Sequence, residues 1–148
     1  MRARDLAAPY PTVRLDTPAI DAARLLAGQD LPGLIVIDEH GFPSTVLAGT
    51  QVLRMAIPQY CVDDPTLTRV IDEAAADVFL RQLGDRTVAQ ALPQHSPDLA
   101  VVGPDATALE IAALMARTRT PLVAVVDQTK AMLGAITLDA LLDRMLSA

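Results

Sequence analysis

Pro32-Gly-Leu-Ile-Val-Ile-Asp38 returns 89 residues later as Pro121-Leu-Val-Ala-Val-Val-Asp127. Each stretch is a proline, a continuous apolar run rich in β-branched residues, and an aspartate. Such a run, bounded by turn formers, reads as a strand buried on both faces. Extended outward, residues 16–53 lie on residues 105–142 without a gap, and nine of these 38 positions are identical. Two copies of one supersecondary unit, each too small to bury its own apolar face, predict one pseudo-symmetric domain.

Each copy reads short strand, helix, strand, turn, strand, helix. In the first, Val13 and Leu15 alternate with polar neighbours, as a short strand requires. Thr17 has the chemistry of an N-cap, with Pro18 at the first helical position. Ile20, Ala23, Leu26 and Ala27 then form a helical stripe, and Gly28 a stop. Asp38-Glu-His-Gly41 is a turn, residues 44–47 a strand and residues 50–57 a short helix. The second copy repeats the order. Residues 99–102 form a strand, Asp105 and its neighbours cap a helix carrying Leu109, Ala112, Ala113 and Ala116, and residues 127–131 turn between two strands. Residues 138–146 form the closing helix.

Between the copies, Asp64-Pro65 opens and Gly84 closes a stretch in which Leu67, Val70, Ile71, Ala74 and Val78 keep helical spacing. The chain therefore divides into residues 1–58, an inserted helical linker at 59–86, and residues 87–148. The inserted helix is expected to pack on the module's flank or to form a dimer seam.

Composition excludes several functions. Half the residues are hydrophobic (51%), enough for a real core, but only two Tyr and two Phe supply aromatic rings. That leaves no stacking platform for single-stranded nucleic acid. A net charge of −6 with twelve scattered basic residues leaves no phosphate-backbone footprint. No apolar stretch approaches the ~20 residues of a bilayer span, and no signal peptide opens the chain. One cysteine fits a reducing cytoplasm. His40, His95 and Cys61 have no metal-ligand spacing, and no cluster of titratable groups supports chemistry, so no enzyme is expected.

Pro121–Asp127, followed by Leu133-Gly-Ala-Ile-Thr137 and echoed by Pro32–Asp38, resembles the tandem cystathionine-β-synthase (CBS) domain pair, the Bateman module. Residues 3–6 and 88–92 look like that family's lead-in segments. The resemblance implies an α+β fold of two pseudo-symmetric repeats. Each repeat is a small three-stranded sheet with two helices, and the sheets pack about a pseudo-twofold axis. It also implies clefts for adenosine derivatives such as AMP, ATP or S-adenosylmethionine.

In the family a strand ends in Gly, two apolar residues and Thr, with an Asp three residues further on. The carboxylate takes the ribose hydroxyls and the Thr helps at a phosphate. Here Gly134 and Thr137 are present, but Ala140 holds the Asp position and Asp139 falls one residue early. On a helix one residue turns a side chain by about 100°. In the first copy Thr45, Ala48 and Gln51 hold the three places, and Gln51 retains an uncharged ribose contact. Pro121 and Leu122 would wall the base, with Pro32 and Gly33 their first-copy counterparts. Arg119 and Thr120 read either as a polar loop or as an anion contact at the cleft mouth. Losing the carboxylate should cost roughly 1.5–3 kcal/mol, which leaves only weak binding.

Two functions stay open. One is a stand-alone regulatory module sensing an adenosyl ligand on behalf of an enzyme or transporter encoded separately. The other is a ligand-free dimerisation or docking module with degenerate clefts. The resemblance implies a homodimer, for which residues 52–57 and 138–146 offer apolar surface.

Overall fold

The computed structural model describes residues 1–29, 31–57, 66, 81, 83–94 and 98–147. Most of the inserted helix expected over 64–84, including Val70, lies outside the described residues, as do Cys61 and His95. The described elements are α1 (Ala3–Leu6), β1 (Thr12–Arg14), α2 (Ala19–Gln29), β2 (Gly33–Ile37), β3 (Pro43–Ala48), α3 (Gly49–Ala56), α4 (Val88–Ala91), β4 (Val101–Val102), α5 (Ala108–Thr118), β5 (Leu122–Val126), β6 (Met132–Thr137) and α6 (Leu138–Leu146). They build two three-stranded sheets, ordered β1-β2-β3 and β4-β5-β6. This is the duplicated α+β architecture expected from the repeat.

The chain divides into two compact units that interleave along the sequence. The first comprises Met1–Thr12, Ile37–Thr45 and Pro97–Ala148. In it β4 runs parallel to β5, as a strand–helix–strand crossover through α5 requires. β5 and β6 then pair antiparallel with Leu122 opposite Thr137, so the start of β5 lies beside the start of α6. The core of this unit joins Ile111 and Met115 of α5, Val123 and Val125 of β5, Ile136 of β6 and Leu141 of α6 to Ala3 and Leu6 of α1.

The second unit comprises Val13–Val36 and Val46–Ser96. Its core packs Ala19 and Ala22 of α2, Leu34 and Val36 of β2, Leu47, Val52 and Ala56 around Leu83 and Val88. Each repeat's core is thus completed by a lead-in helix, α1 in one unit and α4 in the other.

Two local expectations need correction. The inward residues of α5 are Ile111 (0% exposed) and Met115 (4%), whereas Leu109 is 75% exposed. Leu109 is turned outward because the helix phase is set by Ile111 and Met115, which pack in one core with α1 and β5. Thr17 does not cap α2. Its hydroxyl accepts from the Arg14 N–H (2.9 Å), and the Arg86 carbonyl accepts the Ala19 N–H instead (2.9 Å). The cap of α5 falls in the expected segment: Thr107, two residues beyond Asp105, accepts the Glu110 N–H on its hydroxyl oxygen at 3.2 Å.

Candidate functional site

Thr137 ends β6 and begins α6. Its φ/ψ of −89°/156° is the extended geometry of an N-cap, and its hydroxyl oxygen accepts from the Ala140 N–H at 3.2 Å. That bond satisfies one of the four donors every helix start leaves unpaired. In the first repeat the equivalent helix, α3, is capped the other way. Ala48 has no side-chain oxygen, and its own N–H donates to the Gln51 amide oxygen at 2.8 Å. A Ser/Thr cap and a Glu/Gln three residues on make a reciprocal capping box. Each repeat has kept one half: the hydroxyl in the second, the amide in the first. Gln51 therefore spends its oxygen on the backbone rather than offering it to a ribose.

Both glycines named from sequence have structural reasons to be glycine. A Cβ on Gly134 would stand 2.9 Å from the Ala8 carbonyl oxygen and 3.2 Å from the Ala7 Cβ. The N-terminal segment occupies the space that the glycine opens. A Cβ on Gly33 would meet Val46 Cγ1 at 2.8 Å and the Leu47 carbonyl oxygen at 3.0 Å, so that glycine serves packing against β3. Pro32 is exposed beside it.

Asp139 is exposed in the first turn of α6, where the helix dipole favours a negative charge. Arg119 ends α5 with φ 54° and ψ 39°, a left-handed conformation that usually selects glycine, and its N–H returns to the Met115 carbonyl. Thr120 donates its hydroxyl to the Leu122 carbonyl at 3.1 Å. Pro121 accepts the Leu138 N–H at 2.8 Å, tying the start of β5 to the start of α6. Leu122 is buried (1% exposed) and therefore does not wall an open site.

Arg119, Thr120 and Pro121 come together at one end of a groove of about 430 Å³ between α5 and α6. Ala112, Met115 and Ala116 form one wall and Leu138, Leu141, Leu142 and Met145 the other. Gly134, Thr137 and Asp139 do not line it. Sequence reasoning named α6 as an apolar surface and placed Ala112 and Ala116 on a helix stripe, but did not assign them to a groove. Their small side chains at i and i+4 share one face of α5 and leave the groove unfilled where a leucine would occupy it. A second, smaller recess of about 370 Å³ lies between Pro9, Tyr10 and the start of β6.

His40 is exposed in its turn. Among the described residues no group of three His, Cys, Asp or Glu side chains could hold a metal ion. No described helix is long and apolar enough to cross a membrane.

Residues 89–147 match the CBS domain family. A CBS domain-containing protein of unknown function from Kribbella flavida shares 48% of its residues, with 99% of each chain covered and a TM-score of 0.91. This chain belongs to the CBS-domain family. More distant structures share the fold. CBSX2 from Arabidopsis thaliana superposes with a TM-score of 0.73 at 18% identity, covering 99% of this chain and 94% of that one. CBSX2 in complex with AMP gives 0.69 at 19% identity, with 99% and 96% covered. No curated protein matches the chain.

Proposed function

We propose that this protein is a CBS regulatory module that works by docking, with no catalytic role. A second copy of the chain seats on the α5–α6 face, and a separately encoded enzyme or transporter reads the state of the assembly. The observation that carries this is the apolar stripe of α6. Leu138, Leu142 and Met145 are 39%, 45% and 45% exposed beside an apolar groove. Charge favours a second copy as the occupant. Asp139 and Asp143 flank the stripe, while Arg119 stands on the groove rim, so α6 of one copy complements the groove of another. A self-complementary patch of this kind closes a twofold dimer. Light scattering should give twice the 15.7 kDa of the chain, and Leu142→Glu should return it to 15.7 kDa. A 15.7 kDa species for the parent at tens of micromolar would overturn the reading.

A second reading is favoured by Thr137. Its hydroxyl hydrogen has no described acceptor, and it sits at the N-terminus of α6, where the helix dipole attracts anions. The AMP complex of CBSX2 supports an adenosyl ligand for this chain, with Thr137 at a phosphate, Gln51 uncharged in the first repeat and no carboxylate for the ribose. Dissociation constants should then be about ten micromolar or weaker. Calorimetric titration with AMP, ATP and S-adenosylmethionine tests this. Thr137→Val should weaken binding and Ala140→Asp should tighten it. Equal heats for all three proteins, or none, would leave docking alone.

A further inference from the structure

We propose that residues 1–8 are an exchangeable arm, and that two copies of this chain can associate by docking each other's arm. The recipient surface is residues 104–107 together with the outer edge of β6. The arm fits this surface as a separate element. The Ala3 N–H donates to the Ala106 carbonyl (2.8 Å) and the Arg4 N–H to the Pro104 carbonyl (3.0 Å). The Arg2 guanidinium donates to the Asp105 carbonyl at 2.8 Å, and Arg4 pairs with the Asp105 carboxylate. Ala8 and Ala135 exchange both backbone hydrogen bonds, each 3.0 Å, which covers the edge of the β4-β5-β6 sheet. Ala3 (0% exposed) and Leu6 (7%) fill the core beneath.

None of these bonds depends on which chain supplies the arm. The partners lie about a hundred residues away, and the covalent connection is Pro9-Tyr10-Pro11. That tether leads to Val13, the first residue of the other compact unit. Two prolines in three residues remove two N–H donors and hold the backbone extended and stiff. A short, stiff hinge of this kind invites exchange between copies. An unpaired sheet edge is also a template for a strand from another molecule. An element joined by a short hinge and held by contacts remote in sequence is the arrangement from which exchanged dimers form.

The surface is separate from the α5–α6 groove, which Asp105, Ala106 and Ala135 do not line. The inference thus stands apart from the docking reading above, and a Leu142→Glu background closes that other face. The test mixes two chains in this background, both with Cys61→Ser, one carrying Ala8→Cys and the other Ala135→Cys. A directly opposed antiparallel pair has Cα atoms about 5.5 Å apart, within disulfide reach. Oxidation should yield a linked heterodimer, about tenfold more than a control pairing Ala8→Cys with the exposed Asp139→Cys, reflecting the raised effective concentration. Yields equal to the control would overturn the proposal. So would a chain carrying both Ala8→Cys and Ala135→Cys that closes only on itself at every concentration. Charge exchange gives an independent readout in the same background. Arg4→Asp and Asp105→Arg chains each place like charges together, and mixing them restores both pairs only in trans. Native mass spectrometry should find the heterodimer above either homodimer; equal populations would count against exchange.

Discussion

Asp38 and Asp127 close the two β-hairpins with the same pair of bonds. Asp38 Oδ1 accepts from the N–H groups of His40 (2.8 Å) and Phe42 (3.0 Å). Asp127 Oδ1 accepts from the N–H groups of Thr129 (2.8 Å) and Ala131 (3.1 Å), and also from the Thr129 hydroxyl at 2.6 Å. The next position in each turn has positive φ, 80° at Gly41 and 70° at Lys130. An Asx turn followed by a left-handed residue is the local rule that the repeat has kept.

These bonds lower both carboxyl pKa values from 3.8, chiefly through the Phe42 N–H at Asp38 and the Thr129 hydroxyl at Asp127. A carboxylate with a depressed folded pKa adds stability above its unfolded value, and that stability is lost as pH falls through the folded one. The melting temperature should therefore be insensitive to these groups near neutrality and should fall below about pH 4. Asp38→Asn with Asp127→Asn should flatten that acid limb in a melting series from pH 7 to 2. An unchanged limb would show that other carboxylates set it.

Each half of the divided capping box should matter in its own repeat. Gln51→Ala and Thr137→Ala should each cost about 1 kcal/mol in urea unfolding, because each frees a backbone donor at a helix start. Ala140→Glu should restore the second repeat's box and add a few tenths to 1 kcal/mol. Substitutions without effect would mean that solvent satisfies these donors equally well.

Glycine substitutions should separate sharply. Gly134→Ala and Gly33→Ala each drive a methyl against backbone or β3 and should cost about 1–3 kcal/mol. Gly28, inside α2 with nothing within 4 Å of an added Cβ, should gain about 0.5–1 kcal/mol on substitution by Ala. Chemical denaturation of the three variants reads both signs.

The phase of α5 is open to direct measurement. Ile111→Ala should destabilise the fold by about 2–5 kcal/mol by leaving a cavity, whereas Leu109→Ser should change it by about 0.5 kcal/mol or less. Comparable losses at both positions would mean that Leu109 is covered in the assembled protein.

The strands and hairpins were legible because their signals are local. An apolar run of five residues between Pro121 and Asp127 has few other readings. Thr17 misled because its chemistry suits either a cap or a turn, and the choice was made by the Arg86 carbonyl, about 70 residues distant. Leu109 misled because hydrophobicity alone cannot set a helix phase when the buried partners come from α1. Gly134 and Thr137 stood out for a ligand site, but the same spacing suits a close backbone crossing and a helix cap, the roles their contacts show. The groove was half legible, since α6 is amphipathic in sequence but Ala112 and Ala116 face it only once α5 is folded.

The placement of α1 bears on biosynthesis. Leu6 leaves the ribosome well before Leu141, with which it shares a core. At 5–20 residues per second the interval is roughly 7–27 s, far longer than a small helix or hairpin takes to form. Through that time the nascent chain carries a short apolar segment whose site on its own molecule is incomplete. The unit that holds it cannot finish folding until synthesis has passed α6.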